Sequence, residues 1–487
     1  MSALPTEALT CSPWTRAPAY ACRTHPIMNS VERRENGCTI PVSVTDLHNG
    51  SALPDRVNHA PGAQARANLG INCDYIELTV SAEFSERTLS QWLKHDLLLF
   101  CRTHKCRTDR RRILVHGKIM LLSQRRISDL VAFCVAYEFE DTFQAVTGAE
   151  RADATDLASI EFSRRAYKLA RAATGSSRAA LRLAPSPRSK VVLERDYELF
   201  FPVFSNAFEL YSLATVPNWR QRCRKAACFI TEVWTDQLPE YLIELLSEFD
   251  HIFLGLRHCV DEVARITGRP CSYLPLATDV LRFAPASLDQ PRPIDVCNIG
   301  RRSQVTHRAL LEDAERRKCF YYYDTVAASG SDLKQRTFRV DNPQEHRLML
   351  AALLKHSRYF IANRSHVNNP EFTAGRDEIS ARFYEGVAAG TAMIGEAPRT
   401  EEFKRQFDWP DAVIHLPFDS PDIADILATL NGNPDRLQTV RSKNVREAAR
   451  RHDWLHRIRT VFDVLGLTPT ESMEARAHQL DRIASQA

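Results

Sequence analysis

The sequence lacks several patterns that would point to a metal, a redox partner or a membrane. Its 13 cysteines are scattered along 487 residues without a C-x-x-C pair or a Cys/His cluster at zinc spacing, so no metal site is predicted. No apolar run approaches the roughly 18 residues that a membrane-spanning helix needs. No apolar segment typical of a signal peptide follows the first basic residues. We therefore expect a cytoplasmic protein whose thiols are reduced and mostly packed.

The chain also has little excess of positive over negative charge. A formal net charge of +4 over the whole chain does not indicate an obligate polyanionic partner. The exception is residues 102–126, where nine Lys or Arg side chains accompany a single acid, Asp109. This segment fits a solvated basic face, a peripheral contact with the anionic inner face of a membrane, or a phosphorylated acceptor. Nucleic acid is not predicted, because no aromatic side chains are interleaved with the basic ones.

The order of apolar and polar segments predicts where the chain folds. Residues 1–73 hold seven prolines and four glycines and are too polar to offset the entropy of ordering, so a disordered leader is predicted. Residues 73–80 alternate like a strand, and the apolar runs at 113–115 and 130–137 are typical of buried strands.

A regular strand–helix alternation follows, and it predicts an α/β protein with two tandem Rossmann-like domains. The predicted domains are 74–288 and 289–467, joined by a proline-rich linker at 282–293, with a helical tail at 468–487 that packs back on the first domain. The predicted strands are 197–204, 226–230, 251–256 and 271–276 in the first domain, and 294–299, 319–323, 359–362, 392–394 and 412–416 in the second.

Three loops of the second domain come at the ends of predicted strands, where ligands of parallel sheets bind. They are residues 298–303, residues 362–366, and residues 375–390, which read as a loop, a helix and a glycine stop. A glycine turn, several arginines and a helix N-terminus suit a diphosphate, whereas carboxylates suit sugar hydroxyls. Glu378 and Glu385 are seven residues apart and can share one helix face. The arginines in these loops are Arg301, Arg302, Arg364, Arg376 and Arg382.

Residues 190–467 resemble the GT-B glycosyltransferases, specifically the group-1 retaining families and their spore-coat-like branch. Leu274-Pro-Leu-Ala-Thr-Asp279 with Arg282-Phe-Ala-Pro285 is similar to the segment that ends the family's first domain. Ile299-Gly-Arg301 is similar to its glycine–arginine opening of the donor domain. Residues 377–390 resemble its helix with two acids, although the family's usual lysine after the glycine–arginine pair is missing and Ala277 replaces a glycine.

The resemblance implies a first domain that holds the acceptor and a second that binds a nucleotide-sugar donor. It implies that Glu385 holds the donor ribose and that Asp377 or Glu378 meets the donor hexose. Asp377 fits the family spacing and Glu378 fits the helix face, so both remain candidates. Gly300, Arg301 and Arg302, with Ser380 and Arg382 at the helix start, are the candidates for the diphosphate.

In the first domain, Glu232 and Asp236 follow a predicted strand, and either could orient an acceptor hydroxyl or act as a base. We predict a glycosyltransferase of the hexosyltransferase class that needs no cofactor and no metal, since the sequence has no D-x-D motif. The resemblance suggests retention of configuration. The acceptor could be a glycan, a lipid, a protein or a small molecule. A non-catalytic GT-B-like binding or scaffold protein and a nucleotide-sugar epimerase stay open as alternatives.

Overall fold

The computed structural model describes residues 119–188, 190–193, 195–234, 238–316, 318–324 and 339–487, together with three strands nearer the N-terminus. The chain divides into two compact units, residues 1–113 and 114–487.

The first unit contains a three-stranded antiparallel sheet in the order β1-β3-β2. The strand predicted at 73–80 is confirmed as β3, whereas β1 and β2 lie within the predicted leader, the rest of which is outside the described residues. Pro41 of β1 cannot donate a backbone hydrogen bond, and β1 is accordingly an edge strand. The three strands are β1 (Cys38–Val42), β2 (Asn68–Asn72) and β3 (Tyr75–Val80).

The second unit begins with a six-stranded parallel sheet in the order β5-β4-β6-β7-β8-β9. The four strands predicted for the first domain are confirmed as β6 to β9. β4 and β5 were not predicted, and they place residues from 119 onward in the same sheet. The strands are β4 (Ile119–Ser123), β5 (Glu150–Asp153), β6 (Tyr197–Phe204), β7 (Cys223–Ile230), β8 (His251–Leu254) and β9 (Cys271–Tyr273).

The buried strand predicted at 130–137 is wrong. A 3₁₀ turn at Val131–Phe133 leads into the helix Cys134–Thr147. The apolar run continues with Phe139, Phe143 and Val146, which are buried at helical spacing. The other helical segments of this domain are Leu157–Thr174, Ser177–Leu183, the 3₁₀ helices Ala207–Thr215 and Arg257–Cys259, Glu240–Leu246, Val260–Thr267 and Val280–Phe283.

A second parallel sheet has the order β11-β10-β12-β13-β14 and confirms the predicted second Rossmann-like domain. Its strands are β10 (Ile294–Asn298), β11 (Tyr321–Tyr323), β12 (Ser357–Ile361), β13 (Ala392–Gly395) and β14 (Ile414–His415). Its helices are Gln304–Glu315, Pro343–Lys355, Ala381–Ala388, Glu401–Gln406, Ile423–Asn431 and Pro434–Arg451.

Each parallel sheet has a topological switch point. β4 and β6 are neighbours in the first sheet, and β10 and β12 are neighbours in the second, while the intervening strand lies on the outer side. The loops that leave two such neighbours diverge and open a crevice at the carboxyl ends of the strands. A ligand site is therefore expected at the end of β10 and β12, opposite the end of β6.

The chain crosses between the two domains twice. Residues 284–293 lead into the second domain, and the chain returns beside Thr278, whose backbone bonds to His452 and Trp454 at 3.1 and 3.2 Å. The helices Trp454–Leu465 and Glu471–Gln486 then pack on the helix Cys134–Thr147 of the first domain. The tail was predicted to pack on the first domain, and it also packs on the helix Pro434–Arg451 of the second. The Trp454 ring meets Phe139 edge-on, with 5.2 Å between ring centroids. In the part of the chain that the structure describes, every helix is too short or too polar to cross a membrane.

Candidate functional site

A cavity of about 720 Å³ lies where the carboxyl ends of the two parallel sheets meet. The first sheet contributes the residues after β6 and β7, and the second contributes those after β10 and β12. The N-terminal end of the helix Ala381–Ala388 completes the wall on the second domain's side. The cavity is thus built from the crevices that the strand orders predict.

Glu385 lies in the cavity wall with only 1% of its surface exposed. One carboxylate oxygen accepts a hydrogen bond from Arg347 Nη1, and the other accepts one from Arg382 Nη1 at 2.8 Å. Burial acts to raise the pKa of Glu385, but the charges of the two arginines hold it at about 2. Glu385 is therefore ionised at neutral pH, and its carboxylate keeps free lone pairs for hydroxyl donors.

Arg347 connects Glu385 to the first domain. Its guanidinium donates to both carboxylate oxygens of Glu138 at 2.9 and 2.8 Å, and to Thr278 Oγ1 at 3.1 Å. Glu138 also accepts from Trp454 Nε1 at 3.1 Å. Sequence reasoning missed Arg347, because no local motif marks it. The available signal was an arginine three and seven residues before Leu350 and Leu354, on the apolar face of the helix.

The loop after β10 is shaped by Gly300, whose φ of +86° lies in the left-handed region that favours glycine. The Gly300 N–H donates to Asp324 Oδ2 at 2.7 Å, and Arg302 Nη1 pairs with the other oxygen of Asp324. Arg302 is thus held against the second sheet. Arg301 is exposed, and its charge helps to lower the pKa of Glu232 across the cavity.

The N-terminal end of the helix Ala381–Ala388 lies at the cavity. Ser380 occupies the N-cap, but its hydroxyl donates to the carbonyl of Asn363 at 2.7 Å and does not cap the helix. Ser380, Ala381 and Arg382 all line the cavity. N–H groups without a side-chain cap, together with an arginine in the first turn, form a setting that suits an anion.

Asp377 and Glu378 lie outside the cavity lining. Because the helix begins at Ala381, Glu378 precedes it, so the expectation that Glu378 and Glu385 share a helix face is wrong. Glu378 Oε1 instead lies 2.6 Å from His258 Nδ1 of the first domain. Asp377 pairs with Arg364 at 3.2 Å. Contact of either acid with a donor sugar stays a prediction.

Glu232 lines the cavity from the first domain, after β7. Its Oε1 lies 2.8 Å from His366 Nε2 of the second domain and accepts from Trp234 Nε1 at 2.7 Å. Burial opposes ionisation, but these hydrogen bonds and the charge of His366 hold the pKa of Glu232 below its usual range. The structure therefore places Glu232 across the cavity from Arg301, whereas Asp236 lies outside the described residues.

Residues 301–463 match the family model described as "Glycosyl transferase-like". These residues are similar to that family, and we call them the glycosyl transferase-like domain. The match begins at Arg301 and includes Arg347, Arg382 and Glu385, so the second-domain side of the cavity belongs to the glycosyl transferase-like domain. No curated protein matches the chain.

Solved structures of similar shape are distant in sequence. A glycosyltransferase from Rickettsia africae is 10% identical with a TM-score of 0.40, over 72% of this chain and 98% of that one. A UDP-forming α,α-trehalose-phosphate synthase from Burkholderia vietnamiensis is 11% identical with a TM-score of 0.41, over 72% and 100%. TarM is 9% identical with a TM-score of 0.35, over 55% of this chain. The chain spans about half the length of TarM, 54%.

His346 is a further residue of the glycosyl transferase-like domain that sequence reasoning missed. It lines the cavity one residue before Arg347. Burial, followed by the charges of Arg347 and Arg382, lowers the pKa of His346 to about 4. The imidazole is therefore neutral at physiological pH and adds no charge to the arginines around it.

Away from the glycosyl transferase-like domain, the basic segment 102–126 is described only at its end. Arg125 pairs with Glu140 and Asp141, both at 2.9 Å, and Arg126 pairs with Asp153 at 3.2 Å. These two arginines serve the first domain's own structure, whereas residues 102–118 lie outside the described residues. Among the described residues, no group of three or more His, Cys, Asp or Glu side chains is arranged to hold a metal ion.

Proposed function

We propose that the protein transfers a sugar from a nucleoside-diphosphate sugar to an acceptor held by the first domain. The observation that carries this proposal is Glu385, an ionised, buried carboxylate that lines the cavity between two arginines. The glycosyl transferase-like match covers the same residues and supports the reaction class. A cavity of about 720 Å³ has the size of a small-molecule site.

On the donor side, Glu385 accepts hydrogen bonds from the ribose hydroxyls, since an ionised carboxylate is an acceptor only. The diphosphate lies at the N-terminus of the helix Ala381–Ala388, beside Arg382 and Arg301. During transfer the diphosphate leaves and gains negative charge, so fixed N–H groups and guanidinium groups lower the barrier by electrostatic stabilisation. These groups belong to the protein, and the proposed reaction therefore proceeds without a metal.

On the acceptor side, Glu232 orients the attacking hydroxyl. His366 and Trp234 hold the pKa of Glu232 low. Glu232 is therefore suited to accept a hydrogen bond from the attacking hydroxyl and not to act as a strong base. This arrangement fits a retaining transfer in which an oxygen of the leaving diphosphate accepts the proton of the attacking hydroxyl. The bond from the anomeric carbon to the diphosphate then breaks as the bond to the acceptor oxygen forms. Sugar contact by Asp377 or Glu378 requires their present pairs with Arg364 and His258 to open.

The decisive experiment compares Glu385→Ala, on the proposed donor side of the cavity, with Glu232→Gln, on the proposed acceptor side. Isothermal titration with UDP, GDP and their sugars is expected to show about 100-fold weaker donor binding for Glu385→Ala, because two charged hydrogen bonds are lost. Glu232→Gln is expected to bind the donor within a few-fold of the wild type but to transfer sugar about 100-fold more slowly.

The matched control is Glu474→Ala, which removes a carboxylate that is 56% exposed on the last helix. Circular dichroism verifies that each variant is folded at the temperature of the titration. Equal donor binding by Glu385→Ala and the control would sink the proposal. Conversion of the donor sugar in the absence of any acceptor would favour an epimerase instead.

A further inference from the structure

One wall of the cavity is apolar, in contrast to the charged surface around Glu385. The segment that leads into the helix Cys134–Thr147 and the first turn after β6 supply it from the first domain, and the helix Pro343–Lys355 supplies it from the second. We call this surface the apolar wall. It comprises Val131, Phe133, Val135, Phe208, Met349 and Leu353.

Two large side chains of the apolar wall are open to solvent. Phe208 is 47% exposed and Met349 is 48% exposed. Phe208 is held at the start of a 3₁₀ helix, where its N–H donates to Asn206 Oδ1 at 3.0 Å. Single exposed apolar side chains are common on protein surfaces, but several that line one cavity mark a binding surface for an apolar group.

A polar group stands next to the apolar wall. Ser205 directly follows β6 and lines the cavity, although the residue is only 5% exposed. Its N–H donates to Glu209 Oε2 at 2.6 Å, and its carbonyl accepts from Thr231 Oγ1 at 3.0 Å. Its hydroxyl has no hydrogen-bond partner among the described residues. Buried hydroxyls normally have a partner, so a ligand atom is expected there.

We propose that the acceptor is an amphiphile, with a hydroxyl-bearing head at Ser205 and Glu232 and an alkyl or other apolar group against the apolar wall. The proposal rests on the proposed transfer function, because the acceptor must meet the donor in this cavity. Most of the apolar wall belongs to the first domain, whereas the protein groups proposed to bind the diphosphate belong to the second. The apolar group is therefore assigned to the acceptor and not to the base of the donor.

The test uses alkyl β-glucosides from methyl to octyl as probes, below their micelle concentrations and with saturating UDP or GDP. Isothermal titration of the full chain is expected to show about fourfold tighter binding for each added methylene until the apolar wall is covered. The variant Phe208→Ser is expected to flatten this series. The matched control Phe162→Ser changes a phenylalanine that is 65% exposed elsewhere in the first domain, and it should leave the series unchanged.

Three outcomes overturn the inference while donor binding is intact. The first is a chain-length series without any gain in affinity, and the second is an equal effect of Phe208→Ser and Phe162→Ser on that series. The third is octyl glucoside binding that occurs without UDP and is lost when UDP is added. This third outcome would assign the apolar wall to the donor's base. Absence of any nucleoside-diphosphate binding overturns the proposed function itself, and with it the assignment of the apolar wall to an acceptor.

Discussion

Each of the two domains places a buried glutamate near the carboxyl end of its parallel sheet, yet the pKa values of these glutamates are shifted in opposite directions. Glu385 of the second domain is paired with Arg347 and Arg382, and its pKa is about 2. Glu209 of the first domain accepts from Ser128 Oγ and the Ser205 N–H, both at 2.6 Å, and burial raises its pKa to about 7. Within the described residues, Glu385 is thus paired with two cations, whereas the donors to Glu209 are neutral.

This difference shows that the shared strand order positions the two crevices but leaves their chemistry to the loops. The second sheet follows its strands with arginines and a helix N-terminus, which favour anions. The loops after the strands of the first sheet carry Ser205, Phe208 and Glu209, and the pKa of Glu209 is about 7. The same topology thus gives the second-domain half of the cavity several arginines and the first-domain half an apolar surface beside Glu232.

The largest expected effect comes from removing the cation that distinguishes the two glutamates. Arg347→Met leaves Glu138 and Glu385 without their shared partner in a buried site. We expect the free energy of unfolding at pH 7, measured by urea denaturation, to fall by about 3–5 kcal/mol. Arg339→Met is the control, because Arg339 is 70% exposed in its pair with Asp129 and should cost under about 1 kcal/mol. Similar losses in both variants would refute the proposed importance of the buried pair.

An intermediate effect on the free energy of unfolding is expected from replacing Glu209, whose hydrogen-bond donors among the described residues are neutral. The pKa of Glu209 rises from 4.5 to about 7 on folding, so the wild type is favoured below pH 4.5 and loses this stability as the pH rises through 7. Glu209→Gln removes the titration and is expected to be more stable than the wild type at pH 8 by about 2 kcal/mol.

Urea denaturation at a series of pH values checks this prediction. Glu209→Gln should flatten the fall in unfolding free energy between pH 4.5 and 7. Glu240→Gln, at a position 85% exposed, should follow the wild-type curve. A wild-type curve that rises over this interval, with the same slope in Glu209→Gln, would show that Glu209 does not titrate there.

The smallest expected effect on stability comes from two glycine substitutions. Comparing them separates the cost of backbone strain from the loss of a ligand contact. Gly300→Ala and Gly148→Ala each place a side chain at a positive φ, +86° and +66° respectively, and each should lower the unfolding free energy by about 1 kcal/mol. Gly148 ends the helix Cys134–Thr147, away from the cavity lining. Only Gly300→Ala is therefore expected to weaken UDP or GDP binding in a titration. Equal binding by both variants would remove Gly300 from the donor site.

The parallel strands were largely predictable, because strands buried on both faces are short apolar runs such as Phe229 to Ile230 of β7 and its neighbours. The run at 130–137 misled the prediction for the same reason: eight apolar residues carry no period that separates a buried helix from a strand. β4 was missed because its five residues lie within the basic segment 102–126.

The candidate site was predictable where its residues are close together in sequence. Gly300, Arg301, Ser380, Arg382 and Glu385 all line the cavity as expected. Arg347 was not predictable, since its partner Glu138 is 209 residues away along the chain and only the packing of the two domains brings them together. The partner of Glu378 was missed likewise, because His258 belongs to the other domain.

The two domains are joined by the backbone pairing of Thr278 with His452 and Trp454 and by the buried pair of Arg347 with Glu138. Arg347 also pairs with Glu385. The position of the Glu385 carboxylate in the cavity therefore depends on a side chain of the other domain.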